Sequence, residues 1–228
     1  MNPNTTSYEV GSKLTQGYSI SFDSGAYQYG PNPTGVEKIG LVVTDNKNNT
    51  LTDTTGTFPE QTVTDGFSYK VSCYATYGDG SVPKTNLGND CEGQQITAGQ
   101  TGTKTSSSIS GYRKTFFGCV TTKKDTLTSA DIRALNSSTS AYSDGKKFDI
   151  AVEEKCLRVI IAYPATLRNL TEVLDVNDSS SNIVSGFNAE PIIVAVEGAN
   201  GYDAIDYKVY MIDFADPYDR SNTFKVTI

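Results

Sequence analysis

Two-residue alternation, repeated at distant points of the chain, does most to limit what it can fold into. In Thr223-Phe-Lys-Val-Thr-Ile, Phe224, Val226 and Ile228 fall on one face, and Thr223, Lys225 and Thr227 on the other. From Phe67 to Tyr77 the odd positions are Phe67, Tyr69, Val71, Cys73, Ala75 and Tyr77, while the even ones are mostly polar. That is the period of a half-buried antiparallel strand. Nothing before Ser110 carries helical spacing.

Shorter runs repeat the pattern. Tyr18, Ile20 and Phe22 alternate with Ser19, Ser21 and Asp23, and Ile39, Leu41 and Val43 share a face. The Asn- and Asp-rich segment Thr44 to Leu51 has the chemistry of a hairpin turn. Between Pro83 and Ser110, Gly, Thr, Ser, Gln and Asn replace the large apolar residues. That composition predicts a loop or linker, with a domain boundary near Thr105 to Ile109.

Strand patterns resume at Gly111-Tyr-Arg-Lys-Thr-Phe-Phe-Gly-Cys-Val. Thr128 or Ser129 can cap a helix, Asp131 suits its first turn, and Ile132 with Leu135 forms an apolar stripe. One short helix near 129–135 is expected, ended by Asn136-Ser-Ser-Thr-Ser. In the strand after Cys156, Leu157, Val159, Ile161 and Tyr163 share a face while Ile160 and Ala162 take the other. Both faces are apolar, so this strand should be central and covered on both sides. The expected fold is all-β, with two immunoglobulin-like β-sandwich domains in series. The first spans 1–105 with a Gly/Thr/Ser-rich C-terminal linker. The second spans 106–228, with the helix laid over an edge or end.

The net charge of −7 leaves no basic patch to neutralise phosphates, so nucleic acid and anionic membranes are poor partners. No apolar run approaches the ~18 residues of a membrane span. The opening Met1-Asn-Pro-Asn-Thr-Thr-Ser-Tyr-Glu has neither a positive nor an apolar region, so a secretory signal is not expected. Cys73, Cys91, Cys119 and Cys156 contain no CxxC pair. With a reducing compartment expected, all are read as free thiols.

The chain has no histidine, which excludes a Ser-His-Asp triad, a Cys-His dyad and His-ligated metals within it. The acidic candidates for paired-carboxylate chemistry are Glu153 with Glu154, Asp175 with Asp178, and Asp213, Asp216 and Asp219. Adjacent glutamates on a strand point to opposite faces and cannot share a substrate. The Asp175–Asp178 and Asp213–Asp219 loops could offer oxygens to calcium, but neither has EF-hand spacing, and Asn and Asp are ordinary turn formers. Gly198-Ala-Asn-Gly-Tyr-Asp leads into a strand, so it reads as a hairpin with Asn200-Gly201 in a type I′ turn rather than a phosphate cradle. Sequons at Asn48, Asn136 and Asn169 are expected by chance in an Asn/Ser/Thr-rich chain. Tyrosine, 14 against 9 phenylalanines and no tryptophan, leaves Tyr27/Tyr29 and Tyr74/Tyr77 as candidate aromatic platforms for a sugar or a protein. No catalytic, cofactor-binding or metal-binding residue is assigned.

Val196-Glu-Gly-Ala-Asn-Gly-Tyr-Asp-Ala-Ile-Asp-Tyr-Lys-Val-Tyr, closing with Asn222-Thr-Phe-Lys-Val-Thr-Ile, resembles the end of a β module in structural proteins of tailed bacteriophages, the crAss-like gut phages among them. Tyr69-Lys-Val-Ser-Cys-Tyr-Ala-Thr-Tyr-Gly-Asp-Gly, Ser110-Gly-Tyr-Arg-Lys-Thr-Phe-Phe-Gly and Ser129-Ala-Asp-Ile-Arg-Ala-Leu are similar to the same architecture. The likeness runs from about Phe58 onward and rests on framework residues. It implies a non-enzymatic virion component, assembled in a bacterial host cytoplasm, whose partners are other virion proteins and copies of itself. A host-surface glycan is the alternative partner.

Overall fold

The computed structural model describes residues 6–25, 28–29, 32–33, 35–139 and 142–228. Among them strands dominate and a single short α-helix occurs, so the chain is all-β. Two compact units are present. The first is built from Lys13–Thr62 and Phe67–Ser110, the second from Ser7–Ser12, Val63–Gly66 and Gly111–Ile228. The second unit thus takes in two early segments that a linear reading left in 1–105. Backbone bonds place them there: Val10 N–H donates to the Tyr112 carbonyl at 2.9 Å and Gly11 N–H to that of Val63 at 2.7 Å. Alternation along one strand says nothing of which strand it will pair with.

In the first unit, β1 (Lys38–Asp45) pairs with β2 (Thr50–Leu51) as the expected hairpin, Val43 opposite Leu51. The Phe67–Tyr77 alternation is divided between β3 (Ser68–Tyr69) and β4 (Val71–Tyr77). The break is at Lys70, whose N–H turns to the Asn46 side-chain oxygen at 3.0 Å. Antiparallel β4 joins β1 with Cys73 opposite Val43. Tyr18, Phe58, Phe67 and Tyr69 form the buried aromatic core, with Tyr18 and Phe58 ring centres 5.5 Å apart.

The stretch expected as a linker is part of this sheet. It supplies β5 (Gly99–Gln100) and β6 (Lys104–Thr105), which lie along one edge of β4. Hydroxyls hold it there in place of apolar contacts. Thr101 Oγ1 accepts from Ala75 N–H at 2.9 Å, and Ser106 Oγ from Val71 N–H at 3.1 Å. A solvated edge strand needs no hydrophobic face, so composition alone could not distinguish it from a loop.

β7 (Ile109–Tyr112) carries the chain from one unit to the other. The second unit then has two antiparallel sheets. One contains β8 (Phe116–Val120), β9 (Asn136–Ser137), β11 (Arg158–Pro164), β14 (Ile192–Val196) and β15 (Ile205–Asp213), in the order β9-β8-β11-β15-β14. The other contains β10 (Lys147–Val152), β12 (Glu172–Asp175), β13 (Ser181–Asn182) and β16 (Asn222–Thr227), in the order β10-β16-β12-β13. As expected, β11 is central and covered twice. Val159, Ile161 and Tyr163 enter the core shared with Phe148, Ile150, Phe224, Val226 and Ile228 of the second sheet. Ile160 and Ala162 face the opposite side with Phe116, Val194, Tyr207 and Val209.

Helix α1 (Ser129–Arg133) covers that opposite face through Ile132, lying against β14 at the edge of the sheet and against β8. A five-residue helix is unstable alone. Burying one isoleucine contributes roughly 1.5–3 kcal/mol, and a capping box adds to it: Thr128 Oγ1 accepts from Asp131 N–H while Asp131 accepts from Thr128 N–H.

Cys119 and Cys156 are joined by a disulfide, with Cα atoms 5.6 Å apart. The free-thiol reading holds for Cys73 and Cys91 and is corrected for this pair. That reading rested on compartment, which carries no geometry. Cys119 lies on β8, the direct neighbour of β11, and Cys156 stands two residues before β11, which brings the two within bonding reach.

Candidate interaction edge

Among the described residues β14 ends the five-stranded sheet, paired only with β15. Its sequence, Ile-Ile-Val-Ala-Val, has no proline, no lysine and no bulge, the usual protections of a sheet edge. The direction of its peptide groups follows from Glu197, just past its end. Glu197 N–H donates outward to Ser129 Oγ at 3.1 Å, and Arg133 Nη1 donates to the Glu197 carbonyl at 2.7 Å. Residues two and four positions earlier, Ala195 and Ile193, face the same way. Among the described residues their outward N–H and C=O groups have no hydrogen-bond partner.

Both ends of this open stretch are closed. At one end stand Ser129 and Arg133 of α1. At the other, Asn188 satisfies β15 directly: its N–H donates to the Met211 carbonyl at 3.1 Å, and its side-chain oxygen accepts from Met211 N–H at 2.6 Å. What remains open is the centre of β14, where Ile192 is 44% and Ile193 53% exposed. Opposite it runs the segment Asp125 to Ser129, leaving a cleft of about 470 Å³ lined on the strand side by Ile192 to Ala195. Around the edge, Asp125, Glu190, Glu197 and Asp206 are all exposed. Among the described residues none of their carboxylates forms an ion pair. The surface is an apolar strip with four exposed carboxylates around it. Its two nearby cations are engaged, Arg133 with the Glu197 carbonyl and Glu9, and Lys208, opposite Ile193, with the Leu167 carbonyl.

The hairpin between β14 and β15 is the type I′ turn read from Asn200-Gly201. Asn200 has φ 54° and ψ 30°, Gly201 has φ 71°, and Tyr202 N–H donates to the Ala199 carbonyl at 3.1 Å. Its role is to grip the 7–12 segment of the same unit. Ala199 N–H donates to the Val10 carbonyl at 2.7 Å and Asn200 Nδ2 to that of Gly11 at 3.1 Å.

The acidic candidates are placed as follows. Glu153 and Glu154 lie in the turn after β10, both exposed, not on a strand. Asp175 and Asp213 line one depression of about 630 Å³ together with Asp178, Asp216 and Asp219, so the two loops do meet. Their key carboxylates are already engaged. Asp175 accepts from Asn177 and Asp178 N–H and from Asn222 Nδ2, and Asp213 is held by Arg158. Among the described residues no three acidic or thiol side chains are grouped so as to hold a metal ion. Tyr74 and Tyr77, three apart on β4, point to opposite faces and form no common platform. Tyr27 and the side chain of Tyr29 lie outside the described residues.

No family model matches this chain, and neither a curated protein nor a solved structure matches it. Among the described residues no helix is long and apolar enough to cross a membrane. The adjacent apolar pair Ile192-Ile193 is the pattern of a strand covered on both faces, so the sequence points to the centre of a sheet and not to the edge at which β14 stands.

Proposed function

We propose that this chain is a non-enzymatic structural component of a tailed-phage virion, an exposed appendage, a tail or neck piece, or a capsid-decoration protein. It acts through contacts with neighbouring subunits, and its two units are immunoglobulin-like sandwiches. The observation that carries the reading is the β14 edge. Unpaired peptide groups beside exposed Ile192 and Ile193 are a template for another chain. The phage assignment adds to this the resemblance of the Val196–Tyr210 and Asn222–Ile228 segments. Mass spectrometry of purified virions tests it: the chain is expected at many copies per particle, and its absence from intact particles ends the proposal.

A glycan-binding role in host recognition is the second reading. Its best footing is a cleft of about 440 Å³ lined by Tyr142, Asp65, Arg113, Thr166 and Asp206. The Tyr142 ring is stacked on Phe148 at 5.3 Å and approached by Lys146 Nζ at 5.7 Å, so little of it is free to stack on a sugar. The structural role is therefore preferred.

A further inference from the structure

We infer that the β14 edge docks an extended, apolar segment flanked by lysine or arginine, supplied by a different protein. The inference rests on the reading of the chain as a component that works through subunit contacts, and it names the chemistry of the partner. Among the described residues two peptide groups, at Ile193 and Ala195, have no partner on their outward side and can continue the sheet. With each offering a donor and an acceptor, they match a short strand added antiparallel to β14. Side chains of that strand would alternate, as those of β14 do, over exposed Ile193 on one face and Ile192 on the other.

Charge decides between a foreign strand and a second copy. Two copies of β14 paired antiparallel about Val194 would set Ile193 against Ala195, which is sterically permissive. The same register sets Glu197 of one copy opposite Pro191 of the other, next to that copy's Glu190. Neighbouring positions point to opposite faces, so these two glutamates do not meet directly. What opposes self-pairing is that it gathers Asp125, Glu190, Glu197 and Asp206 of both copies, all exposed, around one short strand pair on chains that each carry −7. A strand with basic flanks meets Glu190 and Glu197 at the two ends and Asp125 and Asp206 beside them, none of which has an ion-pair partner among the described residues.

The test uses the full chain and a fluorescein-labelled peptide, Lys-Lys-Val-Thr-Ile-Thr-Val-Lys-Lys, read by fluorescence anisotropy. Saturable binding is expected. It should weaken at least about tenfold when the lysines are replaced by glutamates, and again in high salt, which screens exposed charges. Ile193→Pro should abolish it. The Ile193 N–H faces away from β15, so proline there removes the outward donor without breaking the internal ladder. Circular dichroism and the melting temperature verify that the variant folds. Ile193→Lys, which keeps the backbone donor and adds a repelling charge, gives the same reading if proline disturbs the strand. No binding of the lysine peptide, or equal binding of both peptides, overturns the inference. Self-association that Ile193→Pro removes, with no peptide uptake, also overturns it, putting a second copy on the edge while leaving the structural role intact. Absence of the chain from virions removes that role without touching the peptide result.

Discussion

Arg158 holds Asp213 through two parallel hydrogen bonds, Nε to Oδ1 at 2.6 Å and Nη2 to Oδ2 at 2.9 Å, where β11 and β15 pair at their ends. A third bond, Nη1 to the Lys124 carbonyl at 2.6 Å, uses the rest of a guanidinium that is largely buried. The bonds from Arg158 hold the Asp213 carboxyl below its ordinary range, against the opposing effect of burial. Arg113 does the same to Asp65, and Lys124 with Thr128 brings Asp131 down to about 2.

These shifts give a pH prediction. A carboxyl whose folded pKa lies below its unfolded value, about 3.9 for Asp, contributes stability that is fully present above the unfolded value. It is lost as pH falls through the folded one. Stability from these groups should therefore hold from neutrality to about pH 4 and decline from there toward about pH 2. Asp213→Asn should be less stable than wild type at neutral pH, with the gap narrowing in acid. Urea midpoints at a series of pH values test this, and a gap that stays constant into acid contradicts it.

The Cys119–Cys156 bridge spans 37 residues of sequence, including α1, β9 and β10. Restricting a loop of that size in the unfolded chain stabilises by about 2–4 kcal/mol. Reduction, or Cys119→Ser with Cys156→Ser, should lower the unfolding free energy of the second unit by that much, read as a fall in its denaturant midpoint. Replacing Cys73 and Cys91, both free, should leave the response to reductant unchanged. Equal midpoints with and without reductant would contradict the role of the bridge.

Gly11 and Gly66 offer a paired comparison within the second unit. Both have positive φ, 93° and 69°. A Cβ at Gly11 would stand 2.1 Å from the Ala199 carbonyl oxygen, whereas at Gly66 nothing lies within 4 Å. Gly66→Ala should cost only the left-handed backbone term, about 1–2 kcal/mol. Gly11→Ala must also push the hairpin loop away, and should exceed about 3 kcal/mol. Thermal melts of the two variants give the ranking, and a Gly66 variant as unstable as Gly11 would refute it.

What could be read from the sequence follows from how local each feature is. The Asn200-Gly201 turn, the Thr128 cap and the two-sided burial of β11 depend on neighbours in the chain, and each is found where the pattern placed it. The Val10, Val63 and Tyr112 backbone pairings, the Thr101 and Ser106 bonds that make an edge of residues 99–105, and the Cys119–Cys156 bridge depend on which segments meet in space. The open edge at Ile193 is of the same kind. A strand becomes an edge by what its neighbours leave uncovered, and alternation does not record that.

Asp45 ends β1 as a buried acceptor, 3% exposed, for Lys47 and Asn49 N–H, Asn49 Nδ2 and the Tyr69 hydroxyl at 2.9 Å. Burial alone would raise its pKa, but the bonds from Asn49, Tyr69 and Lys47 together lower it. Tyr69→Phe removes one donor and should cost about 1 kcal/mol, whereas Asp45→Ala leaves a buried hydroxyl and two turn amides without an acceptor and should cost about 2–4 kcal/mol. Amide exchange at Lys47 and Asn49 should accelerate strongly in Asp45→Ala and little in Tyr69→Phe. Unchanged protection at both positions in Asp45→Ala would contradict the account.

The second unit is assembled from pieces made at opposite times. Val10 and Val63, both buried, are synthesised well before Phe224, Val226 and Ile228 of its core. The unit therefore cannot complete its core before the Asn222–Thr227 strand has been made, long after residues 7–12 and 63–66. A fragment cut at Gly111 would lack both valines and the Gly11 partner of the hairpin loop. Separable production of the two units would require carrying residues 7–12 and 63–66 along with the second.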